Sequence, residues 1–386
     1  MVATHSNNSI LRESIRLVGS GAAGQVVALL LLAVIGRQYD QETMGVLGSF
    51  LSWGGLLAIA SGARYEQGIV VASTEDEAHT LYHLALRISL IFTLALLPIA
   101  LAIGYVNPSL TPLGSSIYAL PFFVLLSTWY NASALWELRH KRYKILAKMQ
   151  FIKGVGNNLL KAVFGFVAAT IGSLITAQIL SLVATFPLFF RSLKKGSKAP
   201  KTTSLGSVAK KYRGFPRYGI VQALIDNLLG SLLLMLPLRY GLAEVGYLTM
   251  AIMLARRPLQ LVAENLSNVY FQRLSECVSQ RLPIRQLAYK LLRNTLIISI
   301  PTALLLSQVA PYSLVVGDKW LPSAHIVVWM LPMCIPNFLN SILNTLPDIF
   351  AHQRQNMWAQ VIMLVLDVAV IALGFTLFDF DRFVPF

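Results

Sequence analysis

Long apolar stretches alternate with short polar ones along almost the whole chain. A helix crossing a bilayer needs about 20 mostly apolar residues, and stretches of that kind lie near 17–36, 44–62, 84–105, 117–136, 149–170, 173–190, 218–238, 245–267, 294–312, 325–348 and 357–377. The pattern predicts an all-α polytopic membrane protein with about eleven visible transmembrane helices. One polar break is much longer than the rest. It holds Arg191, Lys194, Lys195, Gly196, Ser197, Lys198 and Pro200 and reads as a mobile, basic cytoplasmic linker over 191–217. The linker divides the chain into an N-terminal lobe, 1–190, with six spans, and a C-terminal lobe, 218–386, with the remainder.

Composition agrees with lipid as the main solvent, since 55% of residues are hydrophobic and 13% charged. The basic residues then fix the topology. Taking the N-terminus as cytoplasmic, the inner gaps hold Arg12 and Arg16, Arg64, the group Arg139 to Lys153, the 191–217 stretch, Arg273 to Arg293, and Arg354. The outer gaps hold only Arg37, Arg239, Lys319 and Arg382. The positive-inside rule therefore predicts a cytoplasmic N-terminus. Loop cations facing anionic headgroups account for a net charge of +15, so no nucleic-acid partner is implied.

Enzyme chemistry finds no foothold. Cys277 and Cys334 fall in a loop and a span, and the histidines lack ligand spacing, so no disulfide or metal site is expected. There is no phosphate-cradling loop or nucleophile elbow. His79 and His83, beside Glu75, Asp76 and Glu77, read as a solvated helix start. No span is followed by an outer loop large enough to carry polymerase or ligase side chains.

Two short echoes hint at duplication. Tyr39 to Gly45 after the first span resembles Tyr240 to Gly246 after the seventh, and His140-Lys141-Arg142 resembles His352-Gln353-Arg354. Both fit two parallel halves of six helices, an arrangement that puts a transporter's substrate site between the halves near the midplane. An offset of about 210 residues predicts a twelfth span near 385–400. The sequence ends at Phe386, which leaves either a natural eleven-helix form or a shortened one, its C-terminus facing the periplasm.

Several motifs carry a family resemblance: Gly36-Arg37-Gln38-Tyr39 with Met44-Gly45-Val46, then Ala63-Arg64-Tyr65-Glu66-Gln67-Gly68-Ile69-Val70 with Asp76-Glu77-Ala78. Further pieces are Lys211-Tyr212-Arg213-Gly214-Phe215-Pro216, Val245-Gly246-Tyr247, Arg256-Arg257-Pro258, Tyr270 to Glu276, and Gly317-Asp318-Lys319-Trp320. Together they resemble Wzx-type O-antigen and polysaccharide flippases, in the superfamily that also holds MATE multidrug exporters and lipid II flippases. The resemblance implies two six-helix lobes around a V-shaped cavity, alternating access, and transfer of an undecaprenyl-diphosphate-linked oligosaccharide across the inner membrane. A polymerase and chain-length regulator complex is a candidate partner. No cofactor is expected, and a proton or sodium gradient is the candidate energy source.

Such a cargo needs hydrogen-bonding side chains and a cation inside the membrane. Asn337, Asn340 and Asn344 form a polar stripe on the tenth span, and Asn157 and Asn158 belong to a similar set on the fifth. Helix-to-helix hydrogen bonding is the alternative role for both. Lys161 lies roughly 18 Å into the bilayer, where a lipid-facing cation costs at least ~2.5 kcal/mol. It is read as a diphosphate or acidic-sugar contact, with a salt bridge to Asp226 or Asp367, or snorkelling, as alternatives. Arg256, about 17 Å deep, and Arg257 offer guanidinium forks suited to a diphosphate. Asp226 and Asp367 are the ion-coupling candidates, with pairing to these cations as the alternative. Arg64 and Glu66, at the inner end of span two, match the family motif and suggest a gate. Against lipid-linked glycan flipping stand MATE-like export of an amphipathic cation and, further off, a membrane glycan polymerase or ligase.

Overall fold

The protein is described from a computed structural model that covers residues 27, 30–106, 113–140, 142–188, 190, 204–225, 227, 241–256, 289, 293, 297, 316–330, 358, 361, 362, 365, 366 and 369. Every regular element among the described residues is helical. Helix α1, Gln41–Ser61, starts where the Asp40 carboxylate accepts the Thr43 N–H at 2.7 Å, an N-cap. It ends because Ala63 and Arg64 take left-handed backbone, φ 50° and 58°. The short α2, Tyr65–Val71, follows that break.

Helix α3 runs Glu75–Val106, starting well before the expected 84. Thr74 caps it by accepting the Glu77 N–H at 3.2 Å. Glu75, Asp76 and Glu77 then suit the positive end of the helix dipole, in agreement with the helix start read from the sequence. With 32 residues it is about 48 Å long, longer than a hydrocarbon core of ~30 Å. Helix α4, Leu120–Arg139, carries Pro121 in its first turn. The expected span 149–170 is instead α5, Tyr143–Phe151, a π-helical turn at Ile152–Gly156, and α6, Asn157–Val167. Helix α7, Ile171–Val183, begins an apolar helical run that extends to Leu188.

Three helices among the described residues are long and apolar enough to cross a membrane: Gln41–Ser61, Glu75–Val106 and Ile171–Leu188. They coincide with the second, third and sixth expected spans. Most of the first, seventh, ninth, tenth and eleventh expected spans and part of the eighth lie outside the described residues.

Contacts gather the chain into two units. One comprises Met1–Gly48, Phe151–Ser181 and Tyr240–Gln353; the other comprises Ser49–Gln150, Leu182–Arg239 and Arg354–Phe386. In the second unit, Phe50 and Phe123 meet with ring centroids 5.2 Å apart, beside Gly54, where a side chain would strike the Phe123 ring. The hydroxyls of Ser61 and Thr128 bond to each other across α1 and α4, and Trp129 donates its indole N–H to Ser89 Oγ at 3.0 Å. Hydrogen bonds of this kind fasten helices where lipid supplies no hydrophobic drive.

The second part of the linker is packed against the helices. It forms α8, Leu205–Lys211, capped by Ser204, which accepts the Ser207 N–H at 3.2 Å. Val208 is buried, and the Tyr65 hydroxyl donates to the Ala209 carbonyl at 3.2 Å. Lys211 donates to Glu77 Oε1 at 2.5 Å and Tyr212 to Glu77 Oε2 at 2.9 Å. The Lys211 bond, then the Tyr212 bond, holds the Glu77 carboxyl below its ordinary pKa. A carboxyl with a depressed pKa contributes above the ordinary value, near 4.5, and that contribution is lost as pH falls through the depressed one. Hydrogen exchange across 205–211 should accordingly be slow at pH 7 and rise in the Glu77→Gln variant; equal exchange in variant and parent would contradict the docking.

Candidate functional site

Two groups of polar side chains lie within the apolar packing, one in each unit. In the unit containing 151–181, the π-helical turn Ile152–Gly156 carries one more residue per turn than an α-helix and so resets the face that α6 presents. Asn157, Lys161 and Gly165 follow at steps of four, all on one face. Asn157 is 9% exposed and Lys161 only 3%. The Asn157 amide donates to Gln178 Oε1 on α7 at 2.7 Å. Its own Oδ1 is buried and accepts no hydrogen bond among the described residues.

The same face meets the end of the first span. The Tyr39 hydroxyl donates to the Lys161 carbonyl oxygen at 2.9 Å. At Gly165 a Cβ would collide with the Gln38 amide and crowd the Tyr39 ring, so glycine is what lets these side chains in. Both amide atoms of Gln38 are buried without a partner among the described residues. A buried polar group left unbonded costs about 1–3 kcal/mol, which makes Gln38 and Asn157 Oδ1 places where water or a ligand group gains most. Asn158, next along α6, is half-buried and lies on a different face.

The second group sits just past the C-terminal end of α1. Glu66 is 4% exposed, with Oε2 unbonded among the described residues, and Gly62 makes its room, since a Cβ there would press on that oxygen. Burial pushes the Glu66 carboxyl pKa up; its hydrogen bond to backbone and the charge of Arg64 oppose this. The Arg64 Nε is likewise buried and unbonded among the described residues. The left-handed backbone at Ala63 and Arg64 is uncommon outside glycine, and it is what turns both side chains inward at the helix break. The pair can hold a proton or a negative charge at the break between α1 and α2.

The structure thus brings Asn157 and Lys161 together, and Arg64 with Glu66. It describes Arg256 in backbone only, as the last residue of the π-helical turn Ile252–Arg256. Arg257, Asp226, Asn337, Asn340, Asn344 and Asp367 lie outside the described residues. Among the described residues no group of three or more His, Cys, Asp or Glu is arranged to hold a metal ion. Sequence reasoning met Gln38 and Tyr39 only as parts of a family motif and passed over Gln178, because a single glutamine or tyrosine carries no periodic signal. The π-helical turns at Ile152–Gly156 and Ile252–Arg256 were also unforeseen, and both fall on helices bearing a candidate cation.

Comparison with known proteins places this geometry. A family profile described as "Polysaccharide biosynthesis protein" matches residues 68–325. The match agrees with the flippase resemblance of the motifs. No curated protein matches the sequence. Among solved structures, the ligand-bound MATE multidrug transporter DinF-BH superimposes with a TM-score of 0.58 at 16% identity, covering 94% of this chain and 87% of that one. The fold is therefore that of a MATE-like transporter.

Proposed function

Because the chain belongs to the polysaccharide biosynthesis protein family, and has a transporter's fold, we propose that it flips an undecaprenyl-diphosphate-linked oligosaccharide across the inner membrane by alternating access. The observation that carries the reading is Lys161, an ammonium 3% exposed on an apolar helix, aligned with Asn157 on one face. A cation set beside buried amides offers the charge-assisted hydrogen bonds that an anionic diphosphate cargo takes. Arg256 and Arg257 extend the cationic path, and Asn158, Asn337, Asn340 and Asn344 contact the glycan. The N-terminal lobe, 1–190, and the C-terminal lobe, 218–386, bound the cavity, with the N-terminus cytoplasmic. Asp226 and Asp367 couple transport to a proton or sodium gradient, and Arg64 with Glu66 gates the inner end. The glycan serves O-antigen, capsule or exopolysaccharide synthesis, and the chain works beside a polymerase and chain-length regulator.

The second reading, export of an amphipathic cation, is favoured by the structural likeness to a MATE multidrug transporter. Proteoliposomes distinguish the two. Purified protein should move a labelled undecaprenyl-diphosphate oligosaccharide to the opposite leaflet, where an added glycosidase removes the sugar, and should not extrude a cationic dye. Dye extrusion without glycan movement would establish the second reading and overturn the first.

A further inference from the structure

The two echoed turns meet in space. At Gly45 on α1, a Cβ would run into the carbonyl oxygen of Leu242 in the first turn of helix α9, Leu242–Ala251. At Gly246 on α9, a Cβ would run into the carbonyl oxygen of Gln41 in the first turn of α1. Gln41 corresponds to Leu242 and Gly45 to Gly246 at one sequence offset of about 200 residues, so the contact is reciprocal. A third pair falls at the same offset: the space beside Gly48 is filled by the Thr249 side chain, its own counterpart. Reciprocal contacts flanking a residue that touches its own counterpart define a local two-fold axis. The two helices start side by side and cross at glycines because no side chain fits between their backbones.

A second set of bonds clasps the same end. The Lys319 ammonium donates to the carbonyl oxygens of Arg37 at 3.2 Å and Tyr39 at 2.7 Å, which end the helical segment 30–38. A cation there suits the negative end of a helix. The Gln41 side-chain amide donates back to the Lys319 carbonyl at 3.2 Å, and the buried Trp320 indole N–H donates to the Gly36 carbonyl at 2.6 Å. Burial lowers the Lys319 pKa, chiefly through desolvation, with Asp40 opposing.

We infer that this joint is the outer closure of the transporter: the crossing of Gly45, Gly48, Gly246 and Thr249 seals the pathway to the outside, and Lys319 with Trp320 is the clasp that must release before it opens. The inference rests on the proposed function for its orientation and its cargo. Its geometry suits a two-state element, since contacts between backbone and glycine are either made or broken and cannot stretch. Placing it on the axis also means that one opening motion treats both halves alike.

The test uses the full chain in intact cells, with Cys277→Ser and Cys334→Ser as background. In Gly48→Cys/Thr249→Cys, mild oxidation should cross-link most of the protein, because the Cβ built at Gly48 lies 3.1 Å from the Thr249 Cβ, and a small separation reaches disulfide spacing. The cross-link should cut export about tenfold or more, with recovery on reduction. In Thr249→Cys, labelling by a membrane-impermeant maleimide from outside should rise about tenfold when Gly45→Val or Lys319→Met is added. Lys319→Met leaves the crossing itself intact, so it serves where the valine variant does not accumulate. Absence of the cross-link, undiminished export by the cross-linked protein, or unchanged labelling in both variants would overturn the closure. Cross-linking and labelling need no cargo. A chain that passes both yet moves no lipid-linked glycan overturns the proposed function and not the joint.

Discussion

Replacing Lys161 by Gln should lower surface glycan about ten- to a hundredfold while the protein accumulates normally. The magnitude follows from one charge-assisted contact, worth about 1.5–3 kcal/mol, lost from the step that carries the diphosphate through the membrane. The structure sharpens the experiment because Lys161 is 3% exposed and its backbone carbonyl is held by Tyr39. A merely structural lysine, paired with a buried carboxylate, would behave differently. Removing one partner of a buried pair strands the other charge and destabilises by about 3–5 kcal/mol. Thermal unfolding in detergent therefore runs alongside the glycan measurement. Lost glycan with an unchanged melting temperature supports cargo contact, and lost glycan with a large drop in melting assigns Lys161 to an ion pair. Lys161→Arg, which keeps the charge, should restore part of the glycan. Unchanged glycan in Lys161→Gln would remove the residue from the pathway.

What could be read from the residues and what could not divides along a physical line. Apolar length and loop charge are properties of segments, so the spans at 44–62, 84–105 and 173–190 emerged close to the helices observed. Spacing by four put Asn157 and Lys161 on one face before any coordinates. The echo of Tyr39 to Gly45 in Tyr240 to Gly246 was also visible, though its meaning was not: only packing shows Gly45 against Leu242 and Gly246 against Gln41. The π-helical turn at Ile152–Gly156 has no apolar signature, since it shifts one hydrogen-bond register inside an otherwise regular run. Partners such as Gln178 and Gln38 depend on which helices are neighbours, and apolar periodicity says which face is buried but not against what. The linker was read from composition as loose. A single Val208 and a Lys211–Glu77 bond are enough to dock a seven-residue helix, and neither alters composition.

Arg139 makes the same point with the largest expected cost in stability. Counted along the sequence it is one more cytoplasmic cation; in the fold it closes the inner end of α2. Its Nη1 donates to the carbonyl oxygens of Ile69 at 2.9 Å, Val70 at 3.3 Å and Ala72 at 2.9 Å, and its Nη2 donates to Thr74 at 3.3 Å. Its Nε donates to Glu75 Oε1 at 3.1 Å. These carbonyls end a helix too short to satisfy them itself, so the guanidinium replaces the missing turn. The side chain is 13% exposed, and water cannot fully take its place. Arg139→Ala should destabilise the protein by about 2–4 kcal/mol, the scale of the part-buried carbonyls of Ile69 and Ala72 left without a donor. Arg139→Lys should recover little, because an ammonium has three donors on a flexible stem and cannot span the same fan of acceptors. Lys144→Ala, an exposed cation on the neighbouring helix, should leave melting unchanged. If Arg139→Ala melts with the parent, Arg139 is only a topological charge. If it melts early and Glu66 becomes accessible to a carbodiimide, the Arg139 clasp is what keeps that carboxyl enclosed, and the burial of Glu66 depends on a residue outside the motif that announced it.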